Sequence, residues 1–199
     1  MQNESTVAVM LGLVHAATFF FYNSLYGRMR RGGKYREGKH VSFAQMPIER
    51  KLTKLAFATN AFLVLASFWM PEGALGFLTV PWLMRAGGLA VVIVATLFLR
   101  QCLITLGENY SPLFDSHRPF RIVREGPYRT IRHPIYLANM LIILGYVVAG
   151  ASVWSLALGA WGWFYMALSI IREERFLSNA FPEYEEYKRG SRMIIPYVL

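Results

Sequence analysis

The chain is short of cysteine, of acidic residues and of charge altogether, and each shortage excludes something. Its one cysteine, Cys102, rules out an internal disulfide and any zinc site needing two or more cysteines. Charged residues fill 17% of the 199 positions, below the ~25% of an ordinary soluble domain. Only 12 residues are acidic against 21 basic, a net charge of +9. In a soluble protein that excess points to nucleic acid. Here no aromatic interleaving or binding motif accompanies it, so no nucleic-acid partner is expected. No internal repeat, heptad or low-complexity tract is evident. The opening Met-Gln-Asn-Glu-Ser lacks a basic leader, so no cleaved secretory signal is expected.

What is abundant is apolar. Apolar residues make up 55% and aromatics 15%, and the mean hydropathy is +0.33. A spanning helix needs about 20 apolar residues. Val7 to Tyr26 carries no formal charge, and Leu55 to Met70 is a shorter apolar run bounded by Lys54 and by Pro71-Glu72. Pro81 to Leu99 is bounded by Arg100 and holds Arg85 in its first turn, near an interface it can reach by snorkelling. Ile135 to Ile171 is 37 residues without a formal charge. As one helix it would run about 55 Å, well beyond the ~30 Å hydrocarbon core. It must fold back, and Gly150, beside Ala149, Ala151 and Ser152, permits the turn. The sequence therefore predicts an all-α integral membrane protein with about five spans, at 7–26, 55–70, 81–99, 135–149 and 152–171. The last two form a helical hairpin, and the whole chain, 1–199, is a single membrane domain.

The basic residues set the orientation. Residues 28–54 hold nine, 100–132 hold six and the tail after Ile171 holds five, together 20 of the 21. The stretch before Val7, the 71–80 loop and the 149–152 turn hold none. Five spans place the three basic segments on one side. Positive charge marks the cytoplasmic face, so the N-terminus is expected outside and the C-terminus in the cytoplasm. The basic loop then touches anionic lipid headgroups.

Polar residues inside the spans, His15, Asn23 and Asn60, read as hydrogen-bonding partners for neighbouring helices. The concentrated polar chemistry lies at the cytoplasmic ends. One piece is Gly126-Pro127-Tyr128-Arg129-Thr130-Ile131-Arg132-His133-Pro134-Ile135-Tyr136, leading into the fourth span. Pro134 suits the first turn of a helix, whose N-terminus, with Arg129, Arg132 and His133 around it, favours an anion. The other piece is Arg172-Glu173-Glu174-Arg175, directly after the fifth span. The hairpin brings the two together. Beyond them, Phe181 to Tyr197 is aromatic and amphipathic, as an interfacial helix with a docked end would be.

In these residues the chain resembles the isoprenylcysteine carboxyl methyltransferase and phospholipid methyltransferase superfamily of integral membrane enzymes. The resemblance is carried in order by Leu106-Gly107-Glu108-Asn109-Tyr110-Ser111, by Gly126-Pro127-Tyr128-Arg129 through Arg132-His133-Pro134-Ile135-Tyr136, and by Glu173-Glu174 with Leu177, Phe181, Tyr184 and Tyr187. It covers about the C-terminal half. Ala138 and Pro182 depart from it, standing where glycine is common. The resemblance implies S-adenosylmethionine as cofactor, held by residues 106–199 on the cytosolic side. Tyr128, Arg132, His133, Pro134, Tyr136, Glu173, Glu174, Tyr184 and Tyr187 would form its site. Arg172, Glu173 and Glu174 would be the catalytic residues, and no metal is implied. The implied acceptor is lipophilic and reaches the site from the bilayer, most like the carboxylate of an isoprenylated cysteine. A phospholipid amine, a small thiol, an NADPH-dependent reductase of related architecture and a non-enzymatic membrane scaffold remain as alternatives. For an amine or thiol acceptor, Glu173 or Glu174 is expected to take the proton, with burial raising its pKa.

Overall fold

A computed structural model describes residues 2–32, 55–56, 58–59, 62–66, 69–70, 74, 77–110 and 121–194. Among them the chain is mostly helical, with no strand and two isolated bridges, Phe77 with Ser152 and Ile131 with Arg192. The helices are α1 (Gln2–Gly32), α2 (Trp82–Leu106), α3 (Pro134–Gly150), α4 (Val153–Ala180) and α5 (Tyr184–Gly190). Short 3-10 turns at Gly107–Asn109 and Gly126–Arg129 lie between α2 and α3. α2 and α4 are long and apolar enough to cross a membrane, and α3 is a shorter apolar helix. α1 runs beyond the expected 7–26 at both ends. Of the expected second span, 55–56, 58–59 and 62–66 are helical and 69–70 form a turn. Asn60, Ser111, the basic stretch from Lys34 to Lys54, and Ile195 to Tyr197 lie outside the described residues.

Helix ends follow local chemistry. Pro134 opens α3, where a missing N–H costs nothing. The Ser152 side chain caps α4 by accepting from the Trp154 N–H at 3.2 Å. α4 stops at Phe181, whose extended backbone (φ −136°, ψ 106°) suits the residue before a proline. The turn between α3 and α4 differs from the sequence expectation. The left-handed residue is Ala151 (φ 44°, ψ 51°), while Gly150 is the last helical residue. Gly150 is needed for room: a Cβ there would lie 2.9 Å from Ser155 Oγ and 3.1 Å from Val64 Cγ2. The exposed carbonyls at this end find donors. Leu78 N–H donates to Ala151 O at 2.7 Å, and the Arg85 guanidinium to Ala149 O at 3.3 Å.

The core sits between α2 and α3. Leu89, Val92, Ala95, Leu99 and Leu103 recur at helical spacing on one face of α2 and meet Ala138, Ile142, Tyr146 and Ala149 of α3. The backbones touch at Gly88 and Gly145. A Cβ at Gly145 would lie 2.6 Å from Gly88 O, and one at Gly88 2.7 Å from Gly145 O. α1 joins this core through polar residues. The buried His15 ring meets Tyr146 edge-on at 5.1 Å, and the Tyr22 hydroxyl donates to Asn139 Oδ1 at 2.9 Å. Asn23 instead donates back to Phe19 O of its own helix.

Candidate active site

The first layer of the site is the start of α3. His133 precedes it in a non-helical conformation (φ −120°, ψ 55°), so Arg132 and His133 lie at the helix mouth with no side-chain cap there. Tyr136 follows within the first turn. The second layer is the far end of α4, past the uncharged stretch that closes at Ile171. Glu173 and Glu174 are neighbours on a helix, so they point about 100° apart and take different partners.

Glu174 is the hub. Its Oε1 receives His133 Nε2 at 2.7 Å, the Tyr184 hydroxyl at 2.7 Å and Arg132 Nε at 3.0 Å. The His133 side chain is 3% exposed, and those of Arg132 and Glu174 are 9% and 10% exposed. Burial works to raise the Glu174 carboxyl. The hydrogen bonds from His133, Tyr184 and Arg132 and the neighbouring imidazole outweigh it and pull the carboxyl down to about 2. The expectation that burial would raise this carboxyl toward a base is thus corrected: three donors on one oxygen stabilise the ionised form. Burial, then the hydrogen bond it donates to Glu174 and the charge of that carboxylate, push the Tyr184 phenol up.

Glu173 has a different setting. Its Oε2 accepts from the Tyr136 hydroxyl at 2.7 Å and lies 3.9 Å from His133 Nδ1, and its side chain is 27% exposed. It is the more open of the two carboxylates. His133 therefore stands between both, edge-on to Tyr136 with ring centroids 5.5 Å apart.

The remaining candidates frame this cluster. Pro134 starts α3. Tyr128 packs its ring with Cys102 and Val123, and its main-chain carbonyl accepts from the Tyr187 hydroxyl. Tyr184 and Tyr187 close a small core with Leu177 and Phe181. Arg172 lies half-buried on α4 just before the glutamates. Among the described residues no three of His, Cys, Asp and Glu gather as a metal-ligand set. Sequence reasoning missed the backbone's share of the site. Arg132 N–H donates to Arg192 O at 2.8 Å, His133 N–H to Met193 O at 3.0 Å, and Arg192 N–H to Thr130 O at 2.8 Å. Main-chain pairing leaves no residue-type signature; the apolar Met193-Ile194 after a charged helix was the one available sign. Arg124 adds a second tie, donating to Glu183 O at 2.7 Å with its guanidinium 5.6 Å from the Tyr187 ring centre.

The donor set fits the cofactor that the resemblance implies. S-adenosylmethionine presents a carboxylate, an ammonium and ribose hydroxyls. An uncapped helix start suits the first, and the partly exposed Glu173 suits either of the others.

Comparison with known proteins places these motifs. The sequence profile of the phospholipid methyltransferase family matches residues 83–184. The cobalt-zinc-cadmium resistance protein CzcN of Cupriavidus metallidurans is 38% identical over 96 residues, covering 47% of this chain and 44% of that protein. Protein-S-isoprenylcysteine O-methyltransferase B of Arabidopsis thaliana is 26% identical over 121 residues, covering 59% of this chain and 61% of that protein. The chain thus spans less than two thirds of either relative. Among solved structures, a eukaryotic intramembrane Ras methyltransferase, isoprenylcysteine carboxyl methyltransferase, shares the fold. Its TM-score is 0.50 at 20% identity, with 76% of this chain and 52% of that chain covered. The matched stretch begins in α2, passes through the His133 and Tyr136 segment and the paired glutamates, and ends at Tyr184. On that match, and with the membrane character of its apolar helices, the chain belongs to the phospholipid methyltransferase family.

Proposed function

We propose that this chain is an S-adenosylmethionine-dependent methyltransferase for a lipophilic acceptor, most like the isoprenylcysteine carboxyl O-methyltransferases. The observation that carries this reading is the junction of His133 with Glu174 and of Tyr136 with Glu173. Two motifs some 40 residues apart form one polar cluster at the ends of apolar helices. The cofactor, when bound, supplies an electrophilic methyl on a sulfonium. The chain's own residues bind, orient and exclude water. The mouth of α3 receives the amino-acid carboxylate, and Glu173 the ammonium or a ribose hydroxyl. Arg172, half-buried on α4 just before the glutamates, is assigned to the acceptor. Holding the acceptor in line at about 3–3.5 Å supplies much of the rate. A carboxylate acceptor needs no base. For an amine or thiol, the three donors that lower the Glu174 pKa make it a weak proton acceptor, which leaves the role to the more open Glu173.

The arrangement in the bilayer is part of the proposal. Residues 1–199 form one membrane domain of five spans, the last two a hairpin. The N-terminus is outside, and the C-terminus and the cofactor-binding part, 106–199, are cytoplasmic. The acceptor enters sideways from the lipid and the cofactor from the cytosol.

The decisive experiment is calorimetric titration of the detergent-purified chain with S-adenosylhomocysteine, with NADPH in parallel. The expected result is S-adenosylhomocysteine binding that weakens at least about ten-fold on His133→Ala, a loss of about 1.4 kcal/mol. Binding of NADPH alone would make the chain a reductase. Binding of neither by folded protein would leave a scaffold. Methyl-transfer assays with a prenylated cysteine, a phosphatidylethanolamine and a small thiol then identify the acceptor class.

A further inference from the structure

The segment after α5 is held across the mouth of α3 by one side chain. Arg132 Nε bonds Glu174 Oε1 at 3.0 Å. The Nη1 of the same guanidinium donates to Ser191 O at 2.6 Å and to Lys188 O at 3.3 Å, with Ser191 Oγ at 3.5 Å. The Arg132 side chain is nearly buried. Its own main chain, with those of Thr130 and His133, pairs with Arg192 and Met193. Beyond the pairing, Met193 and Ile194 pack against Tyr136, Met140 and Ile170 on the seam of α3 and α4.

α5 has seven residues, too few to hold itself in helical form. Arg132 takes one of the last carbonyls of α5, Lys188 O, which a helix leaves without an internal donor, and the carbonyl of Ser191 just past its end. Only a planar, multi-donor group can bond a carboxylate with one edge and two carbonyls with another. A lysine at this position can pair with Glu174 or reach the carbonyls, but cannot bridge them.

We infer that Arg132 is a positioning residue that fastens the strap 184–194 over the site, tying it to the glutamate hub and so setting how fast the cofactor exchanges. Its role is to hold Glu174 and the strap together. Contact with the cofactor itself belongs to its neighbours. The exchange of cofactor rests on the proposed function; the fastening does not.

The test pairs Arg132→Lys with Arg192→Pro. The second substitution deletes the Arg192 N–H that donates to Thr130 O while leaving the hub intact. Ser191 before it is already extended (φ −138°, ψ 163°), as a residue preceding proline must be. Amide hydrogen exchange of the full chain in detergent, without ligand, reads the strap. Release of radiolabelled S-adenosylhomocysteine reads the site. Both variants are expected to speed exchange in 184–194 about ten-fold or more, with 134–150 unchanged. Both are expected to speed release by a similar factor. Faster release from Arg132→Lys with unchanged strap exchange would overturn the inference and make Arg132 a direct cofactor ligand. Unchanged strap exchange in both variants, or a loosened strap with unaltered release, would also overturn it. If the unaltered chain binds no S-adenosylhomocysteine, the proposed function fails, and strap exchange alone still decides the fastening.

Discussion

Glu174 shows how a buried carboxylate in a basic and phenolic setting becomes a structural anion. Its carboxyl ionises at 4.5 ordinarily and at about 2 in the folded chain. The folded state therefore favours the ionised form. Its contribution is fully present above about pH 4.5 and is lost as pH falls toward 2. The difference corresponds to stability on the order of 3 kcal/mol. Thermal unfolding in detergent, followed from neutral pH to about pH 2.5, should show this acid limb. Glu174→Gln should remove it and lower stability at neutral pH by about 3 kcal/mol or more, since it leaves Arg132 buried without its counter-charge. An acid limb that survives Glu174→Gln would assign it to another carboxylate. Glu173, more exposed and bonded by the Tyr136 hydroxyl, remains accessible to a ligand.

At the scale of elements, two contacts between helices set the geometry that carries the site. α2 and α3 meet backbone to backbone at Gly88 and Gly145, so Gly145→Ala drives a methyl into a carbonyl oxygen. A loss of about 1–3 kcal/mol is expected, read as a lower unfolding midpoint. Separation of α2 from α3 also displaces His133, because it sits at the start of the same helix. The turn from α3 to α4 gives a paired prediction. Ala151 bears the left-handed backbone, so Ala151→Gly should stabilise by up to about 1 kcal/mol. Gly150→Ala should destabilise, since its Cβ would crowd Ser155 and Val64. The reverse pattern of midpoints would show that the turn is built on Gly150 after all.

At the scale of the whole molecule, the asymmetry of charge is the argument for orientation. With 20 of 21 basic residues in three segments, five spans would put all three on one side. In a Cys102→Ala background, Thr79→Cys should react with a membrane-impermeant maleimide on intact cells. Asn179→Cys should react only after permeabilisation. Labelling of both from outside would overturn the span count, and the opposite pattern would overturn the orientation.

Much of this was legible in the residues themselves. Pro134, Ser152 and the Phe181-Pro182 pair mark helix ends, because each acts on its own backbone within one turn. The uncharged run from Ile135 to Ile171 is too long for one crossing, so its length alone brings the ends that bear His133 and Glu174 toward one another. Among the ordered motifs that gave the family, His133, Tyr136, Glu173, Glu174 and Tyr184 touch one another. Tertiary structure decided the rest. That three donors share one oxygen of Glu174, that Ala151 takes the left-handed turn, and that Arg132 reaches the carbonyls of Lys188 and Ser191 all depend on where the main chain lies. A carbonyl is the same at every residue, so no sequence pattern records which one a side chain will find.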